Sequence, residues 1–237
     1  MELLWIAIAG VAGAGAGEGL RRWLNTLSYR LPPTAGDLPP TGGDPPPTDS
    51  EAPETAETAL PHPGRRYWIP VALGLAWAGA AWRIGVGESA TDWVRLVAWL
   101  AFTLVGAWLA AIDLDVQRLP DRGQATLAAI AVAGAVVLAW AQPTRLLIGL
   151  AAGAVCGLAF LIVHVISRGS LGFGDVKLVV TCGFWLGVGP VTAVYAALLA
   201  GCAMAVAYSL LTHRRRFAFG PWLVAGTVVA GLALGAP

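Results

Sequence analysis

The sequence has little charge and little cysteine, and each shortage excludes a class of protein. Only 12% of its 237 residues are charged, with a single lysine, whereas 57% are hydrophobic. Soluble domains carry about 25% charged residues, so this chain cannot bury its apolar residues inside one soluble core. Its three cysteines include no CxxC pair, and they are interpreted as small packing residues rather than metal ligands or disulfides. We expect the chain to lie in the lipid bilayer and to bind no nucleic acid.

The sequence has instead a series of long uncharged runs. Most can cross a hydrocarbon layer of roughly 30 Å as helices. The run 178–211 would form a helix of roughly 51 Å, too long for one pass, and the glycines and proline of residues 187–190 predict a hairpin that divides it. The predicted fold is therefore all-α, a polytopic integral membrane protein of about eight transmembrane helices. The runs are residues 3–17, 69–82, 96–112, 125–141, 146–163, 178–211 and 217–237.

The basic residues predict the orientation of these helices. Cytoplasmic loops collect lysine and arginine, and with the N-terminus outside, twelve of the 15 basic residues fall on the cytoplasmic side. We therefore predict an N-terminus outside the cell. The twelve are Arg21, Arg22, Arg30, Arg65, Arg66, Arg118, Arg122, Arg168, Lys177, Arg214, Arg215 and Arg216.

Composition divides the chain into three parts. Residues 1–30 form a first transmembrane helix with its cytoplasmic end, and residues 67–237 form a membrane-embedded domain. Between them, residues 31–66 hold ten of the 16 prolines and six acidic residues, which predicts a disordered cytoplasmic loop. Its proline runs could dock an SH3-like partner, although composition favours a flexible spacer.

A first acidic motif follows the third apolar run. It contains Asp113, Asp115 and Asp121, and Asp113 is the deepest of the three because it follows the run immediately. On a continuing helix Asp113 and Asp115 would point about 200° apart, so they cannot share one site. For Asp115 a solvated head group is the favoured interpretation, and for Asp121 a helix cap or first-turn acid.

A second motif, Gly172-Phe173-Gly174-Asp175, places a carboxylate directly behind two glycines at the start of an apolar run. Glycine lets other backbone or a second carboxylate approach closely. Taken alone, the motif could be a turn whose acid caps a helix. In the eight-helix arrangement, however, Asp113 and Asp175 lie at the same face on different helices. Two carboxylates close together cannot both ionise easily, an arrangement that suits an activated-water protease.

These motifs, with Phe219-Gly220-Pro221 near the C-terminus, resemble those of the type IV prepilin peptidases, membrane aspartic proteases of the GxGD class. The resemblance is carried by Ile112-Asp113, by Leu119-Pro120-Asp121 and by residues 172–178. It implies that Asp113 and Asp175 are the catalytic pair. The residues it implies as site-shaping or substrate-binding are Gly172, Gly174, Lys177, Pro120, Gly220 and Pro221.

The resemblance also implies a substrate and a location. The substrate would be a membrane-anchored prepilin or pseudopilin precursor, whose short basic leader is cut at the cytoplasmic face of the bacterial inner membrane. Such hydrolysis requires no cofactor. Many members also methylate the product with S-adenosylmethionine and bind zinc through two CxxC pairs in a cytoplasmic loop. Residues 31–66 contain no cysteine, so we expect no zinc, and S-adenosylmethionine only if a methyltransferase activity is retained.

Two other functions could also use the aspartate pair. Presenilin-like and signal-peptide-peptidase-like enzymes share the GxGD signature, but they carry a Pro-Ala-Leu motif that this chain lacks. A polytopic transporter or channel could use the two aspartates as an ion site. Transporters tend to show internal repeats and broken helices near the midplane, and neither is evident here.

Overall fold

The computed structural model describes residues 2–30, 66–85, 89–140, 142–168, 171–213 and 218–235. Within these ranges the chain forms eight helices and no strand, as the sequence predicts. The predicted loop at residues 31–66 lies outside the described residues except for Arg66, as do Arg214–Arg216. The helices are α1 (Glu2–Leu24), α2 (Trp68–Ile84), α3 (Ala90–Val116), α4 (Asp121–Ala139), α5 (Pro143–Ile166), α6 (Phe173–Gly187), α7 (Val191–Thr212) and α8 (Gly220–Leu234).

Five of these helices, α1, α3, α4, α5 and α7, are long and apolar enough to cross a membrane, and α8 is a shorter apolar helix. Their outward faces are apolar as well: Leu158, Ile162 and Val165 on α5 are all exposed. A surface of this kind suits lipid, so the chain is a polytopic membrane protein. The number of passes and the position of the N-terminus remain predictions.

The predicted hairpin in the long run 178–211 is confirmed. Helix α6 ends at Gly187 and α7 begins at Val191, after Pro190. Proline suits this position, because its fixed φ is compatible with a helix start and its missing N–H would have had no helical partner there.

Small residues bring neighbouring helices close together. A Cβ on Gly17 of α1 would lie 2.5 Å from Pro70 Cα in α2, and one on Gly226 of α8 would lie 2.3 Å from the Ala197 carbonyl oxygen in α7. In a bilayer, where hydrophobic driving force between helices is absent, such close packing supplies much of the association energy. Helices α1 and α2, α5 and α6, and α7 and α8 form the three most intimate pairs.

Helix α3 lies at the centre of the molecule. Its Trp99 and Phe102 stack with Trp185 of α6, with ring centroids 5.6–6.3 Å apart, and all three are fully buried. Cys156 and Cys182 are also buried, as expected for packing residues, whereas Cys202 is exposed on α7. This core holds the end of α3 beside the starts of α4, α6 and α8, where the predicted site residues converge.

Candidate active site

Asp113 lies in the last turn of α3 and is 5% exposed. Its Oδ2 accepts a hydrogen bond of 3.0 Å from the backbone N–H of Gly220, the first residue of α8. The first N–H groups of a helix have no partner within the helix, so this donor is free to bind the carboxylate. A residue 107 positions further along the chain thus orients Asp113.

Asp175 lies in the first turn of α6 and is 8% exposed. Its own N–H donates to the Gly172 carbonyl at 3.0 Å, which closes the turn at the start of the helix. Its Oδ1 is buried and accepts no hydrogen bond from any residue that the structure describes. A buried carboxylate oxygen without a donor is costly for folding alone.

The two carboxylates face the same point. A Cβ placed on Gly220 would lie 2.7 Å from Asp113 Oδ2 and 3.5 Å from Asp175 Oδ1. The two oxygens can therefore be no further apart than the sum of these distances. Glycine at this position leaves the space between them open.

The pair borders a cavity of about 630 Å³, whose wall includes Gly172, Gly174, Pro120 and Lys177. The close approach that the sequence predicts at the glycines is present, since a Cβ on Gly174 would lie 3.1 Å from Leu119 Cβ. Pro221, in contrast, lines a different and largely apolar cavity beside α2 and α3. The wall of the first cavity includes neither Pro221 nor Gly220, although the Gly220 N–H donates to Asp113.

Asp121 is not a helix cap. The residue that precedes α4 is Pro120, and Asp121 is an acid in the first turn of the helix, as the alternative interpretation predicts. Its side chain is exposed and accepts a hydrogen bond of 2.6 Å from Lys177 Nζ. This pair links the starts of α4 and α6 at the rim of the cavity.

The interpretation of Asp115 as a solvated head group is wrong. Its side chain is 4% exposed and accepts hydrogen bonds from Arg30, at 2.9 Å from Nε and 2.7 Å from Nη2, and from the Tyr29 hydroxyl. Arg66 Nη2 lies 3.3 Å from Asp115 Oδ2. The helix does continue through both acids, so Asp113 and Asp115 serve different sites, as predicted.

Burial and hydrogen bonding keep the donors of this group protonated. The group consists of Tyr29, Arg30, Arg66 and Asp115. Hydrogen bonding to Asp115 raises the pKa of the Arg30 guanidinium, which therefore stays charged. Burial raises the pKa of the Tyr29 phenol, so the hydroxyl keeps the proton that it donates. We call these four residues the Asp115 cluster.

Sequence reasoning missed the Asp115 cluster. In the sequence, Arg30 and Arg66 contribute only to the charge bias that predicts the orientation, and nothing singles out Tyr29. One signal was present: Arg30 and Arg66 stand at the two ends of the proline-rich segment. Both positions adjoin apolar helices, so a contact of these arginines with the membrane domain could have been expected. No pattern in the sequence identifies Asp115 as their partner.

The described residues contain no group of three or more histidine, cysteine or acidic side chains able to hold a metal ion. The expectations for zinc and S-adenosylmethionine remain predictions.

Comparison with known proteins shows a similarity over the segment that holds both carboxylates. Residues 97–210 match the type IV leader peptidase family. The chain is similar to this family over that segment. The match runs from α3 into α7 and includes both Asp113 and Asp175, whereas α8 with Gly220 lies beyond it. The resemblance that the motifs indicate is confirmed over this segment.

A curated relative from Escherichia coli O78:H11 (strain H10407 / ETEC) is described as "Type 4 prepilin-like proteins leader peptide-processing enzyme". It is 33% identical over 141 residues, which cover 54% of this chain and 50% of the relative. The chain thus spans about half the length of the relative that it matches. No solved structure matches the chain.

Proposed function

We propose that this chain is a membrane aspartic endopeptidase that removes the leader peptide from prepilin or pseudopilin precursors. The observation that carries the proposal is the pair of buried carboxylates, Asp113 and Asp175, which face one point beside a cavity of about 630 Å³. The family match and the printed description of the relative support this choice of substrate.

The mechanism requires the two carboxylates to share one proton. The ionised member accepts a proton from a water molecule as the water oxygen attacks the scissile carbonyl carbon. The protonated member donates its proton to the carbonyl oxygen, so a neutral tetrahedral diol forms. Its collapse breaks the C–N bond: the leaving nitrogen takes up the proton held by one carboxylate, while the other carboxylate takes up the proton of one diol hydroxyl. The products are the carboxylic acid and the amine, and the pair again shares one proton. Water is the only co-reactant, and neither a metal nor S-adenosylmethionine takes part in these steps.

The site's position suits a membrane-anchored substrate. Asp113 is in the last turn of α3 and Asp175 in the first turn of α6, so both lie at helix ends. An ion site of a transporter would instead favour positions in mid-helix, near the midplane of the membrane. The predicted orientation assigns these ends to the cytoplasmic face of the inner membrane. A precursor held by its apolar stem would present its leader there.

The test is cleavage of a candidate precursor co-expressed in membranes, followed as a shift to shorter product on a gel. Asp113→Asn and Asp175→Asn should each abolish the shift, because an amide can neither accept nor deliver the required proton. The matched control is Asp92→Asn at the opposite end of α3, where the carboxylate makes a partly exposed pair with Arg95 at 3.8 Å. Cleavage that survives either of the first two changes would refute the assignment. Ion flux in proteoliposomes without any cleavage would favour the transporter instead.

A further inference from the structure

We propose that Asp115 is a positioning residue. Held by Tyr29, Arg30 and Arg66, it fixes the last turn of α3 so that the Asp113 carboxylate stays opposite Asp175. The inference rests on the proposed peptidase function, since it assigns the Asp115 cluster a part in the same reaction.

Asp113 lies close to the end of its helix. It is the fourth residue from the end of α3, in the terminal turn, where most carbonyl groups lack helical partners and helices fray. The helix is ended by Gln117, which adopts a left-handed conformation with φ 52° and donates its N–H to the Asp113 carbonyl at 3.0 Å. Catalytic groups have to be held within about 0.5 Å of their working position. A terminal turn needs additional restraint to meet that limit.

The last turn of α3 is held on both faces. Asp113 and Asp115 point about 200° apart around the helix. On one face Gly220 donates to Asp113, and on the other Arg30 forms a two-pronged pair with Asp115. A turn fixed on one face alone could still rotate about that contact, whereas two opposed contacts prevent the rotation.

The Asp115 cluster joins several parts of the chain. Arg66 donates from Nη2 to the Tyr29 hydroxyl at 2.5 Å and from Nη1 to the Leu24 carbonyl at 3.3 Å. It therefore ties the end of α1 and the segment before α2 to the end of α3. Tyr29 also lines the cavity, so the same group forms part of its wall.

The charges of the Asp115 cluster are buried. The side chains of Arg30, Arg66 and Asp115 are only 2–4% exposed. Burying ion pairs is often no more stabilising than packing apolar residues in the same volume. The cluster is therefore better explained by the fixed geometry that charged, two-pronged hydrogen bonds impose than by stability.

The test measures cleavage rates per folded molecule, with kcat and KM determined separately. Asp115→Asn should lower kcat by about 10²-fold, the effect expected for a catalytic group misplaced by roughly 1 Å, and should change KM by no more than about twofold. Tyr29→Phe keeps both ion pairs and should lower kcat severalfold. It serves as the second variant if Asp115→Asn does not fold. Asp92→Asn is the matched control and should leave kcat unchanged.

A second measurement reports position without using activity. In a background whose three native cysteines are replaced by alanine, Asp113→Cys and Asp175→Cys are introduced together and treated with a short bifunctional thiol reagent. Cross-linking should be efficient with the Asp115 cluster intact and should fall at least severalfold when Asp115→Asn is added.

The outcomes separate the two proposals. If the wild-type protein cleaves the precursor but folded Asp115→Asn and Tyr29→Phe retain its kcat, the positioning role is wrong and the peptidase function stands. If the wild-type protein cleaves nothing, the peptidase function fails, and unchanged cross-linking in Asp115→Asn would reject the positioning role as well. If the variants yield less folded protein but each folded molecule keeps the wild-type kcat, the cluster only stabilises the fold and the positioning role is wrong.

Discussion

Replacing Gly220 by alanine should disable the site with little effect on the fold. The new Cβ would lie 2.7 Å from Asp113 Oδ2, 3.4 Å from Asp113 Cγ and 3.5 Å from Asp175 Oδ1. Only the first distance is shorter than ordinary van der Waals contact. The overlap therefore falls on a carboxylate that the Gly220 N–H itself holds, and the carboxylate has to move.

The size of the effect follows from these distances. To restore ordinary contact, Asp113 Oδ2 has to move by about 0.7 Å, which exceeds the tolerance of about 0.5 Å for catalytic groups. A displacement of that order predicts a loss of about 10- to 100-fold in kcat, or roughly 1.4 to 2.7 kcal/mol of barrier. Stability should be nearly unchanged or slightly higher, because alanine is favoured over glycine within helices by up to about 1 kcal/mol.

The assay is cleavage of a purified precursor in detergent micelles, with thermal unfolding measured on the same preparations. Two other alanine substitutions serve as controls. Gly19→Ala meets no atom within 4 Å, so it should leave both activity and stability close to those of the wild type. Gly226→Ala lies in the same helix as Gly220 but would bring its Cβ to 2.3 Å from the Ala197 carbonyl oxygen, so it should lower stability.

Wild-type kcat in Gly220→Ala would refute this reasoning, because it would mean that the position of the Asp113 carboxylate is not critical. A fall in the unfolding temperature as large as that of Gly226→Ala would refute it differently, by showing that the overlap is relieved through the backbone rather than through the side chain.

Two further substitutions test the packing. Lys177→Met removes the exposed pair with Asp121. Such pairs contribute about 0–1 kcal/mol to the free energy of unfolding, so the unfolding temperature should barely change. A loss of several kcal/mol of unfolding free energy would contradict the exposed geometry. Gly231→Ala would place a Cβ 2.2 Å from Trp99 Cη2 in the rigid aromatic core, so it should cost about 1–3 kcal/mol of unfolding free energy, and an unchanged denaturation curve would contradict that packing.

Much of the fold could be predicted from the sequence because a bilayer admits few structures. An apolar segment in lipid has to satisfy its backbone hydrogen bonds internally, so long uncharged runs become helices. The hairpin before Val191 was predictable for a similarly local reason, since Pro190 and its neighbouring glycines cannot continue a helix smoothly. The opposed directions of Asp113 and Asp115 followed from helix geometry alone.

The environment of each acid, in contrast, was decided only by the tertiary structure. Sequence motifs suggested Asp113 and Asp175 as partners, but their common approach to Gly220 depends on how α3, α6 and α8 pack. Asp115 looked like a solvent-facing acid because the residues next to it in sequence do not bury it. Its partner Arg30 lies 85 positions away, and no local pattern encodes a contact between such distant segments. Helix formation depends on interactions within a few residues, whereas the burial and pairing of a charge depend on the whole packed bundle.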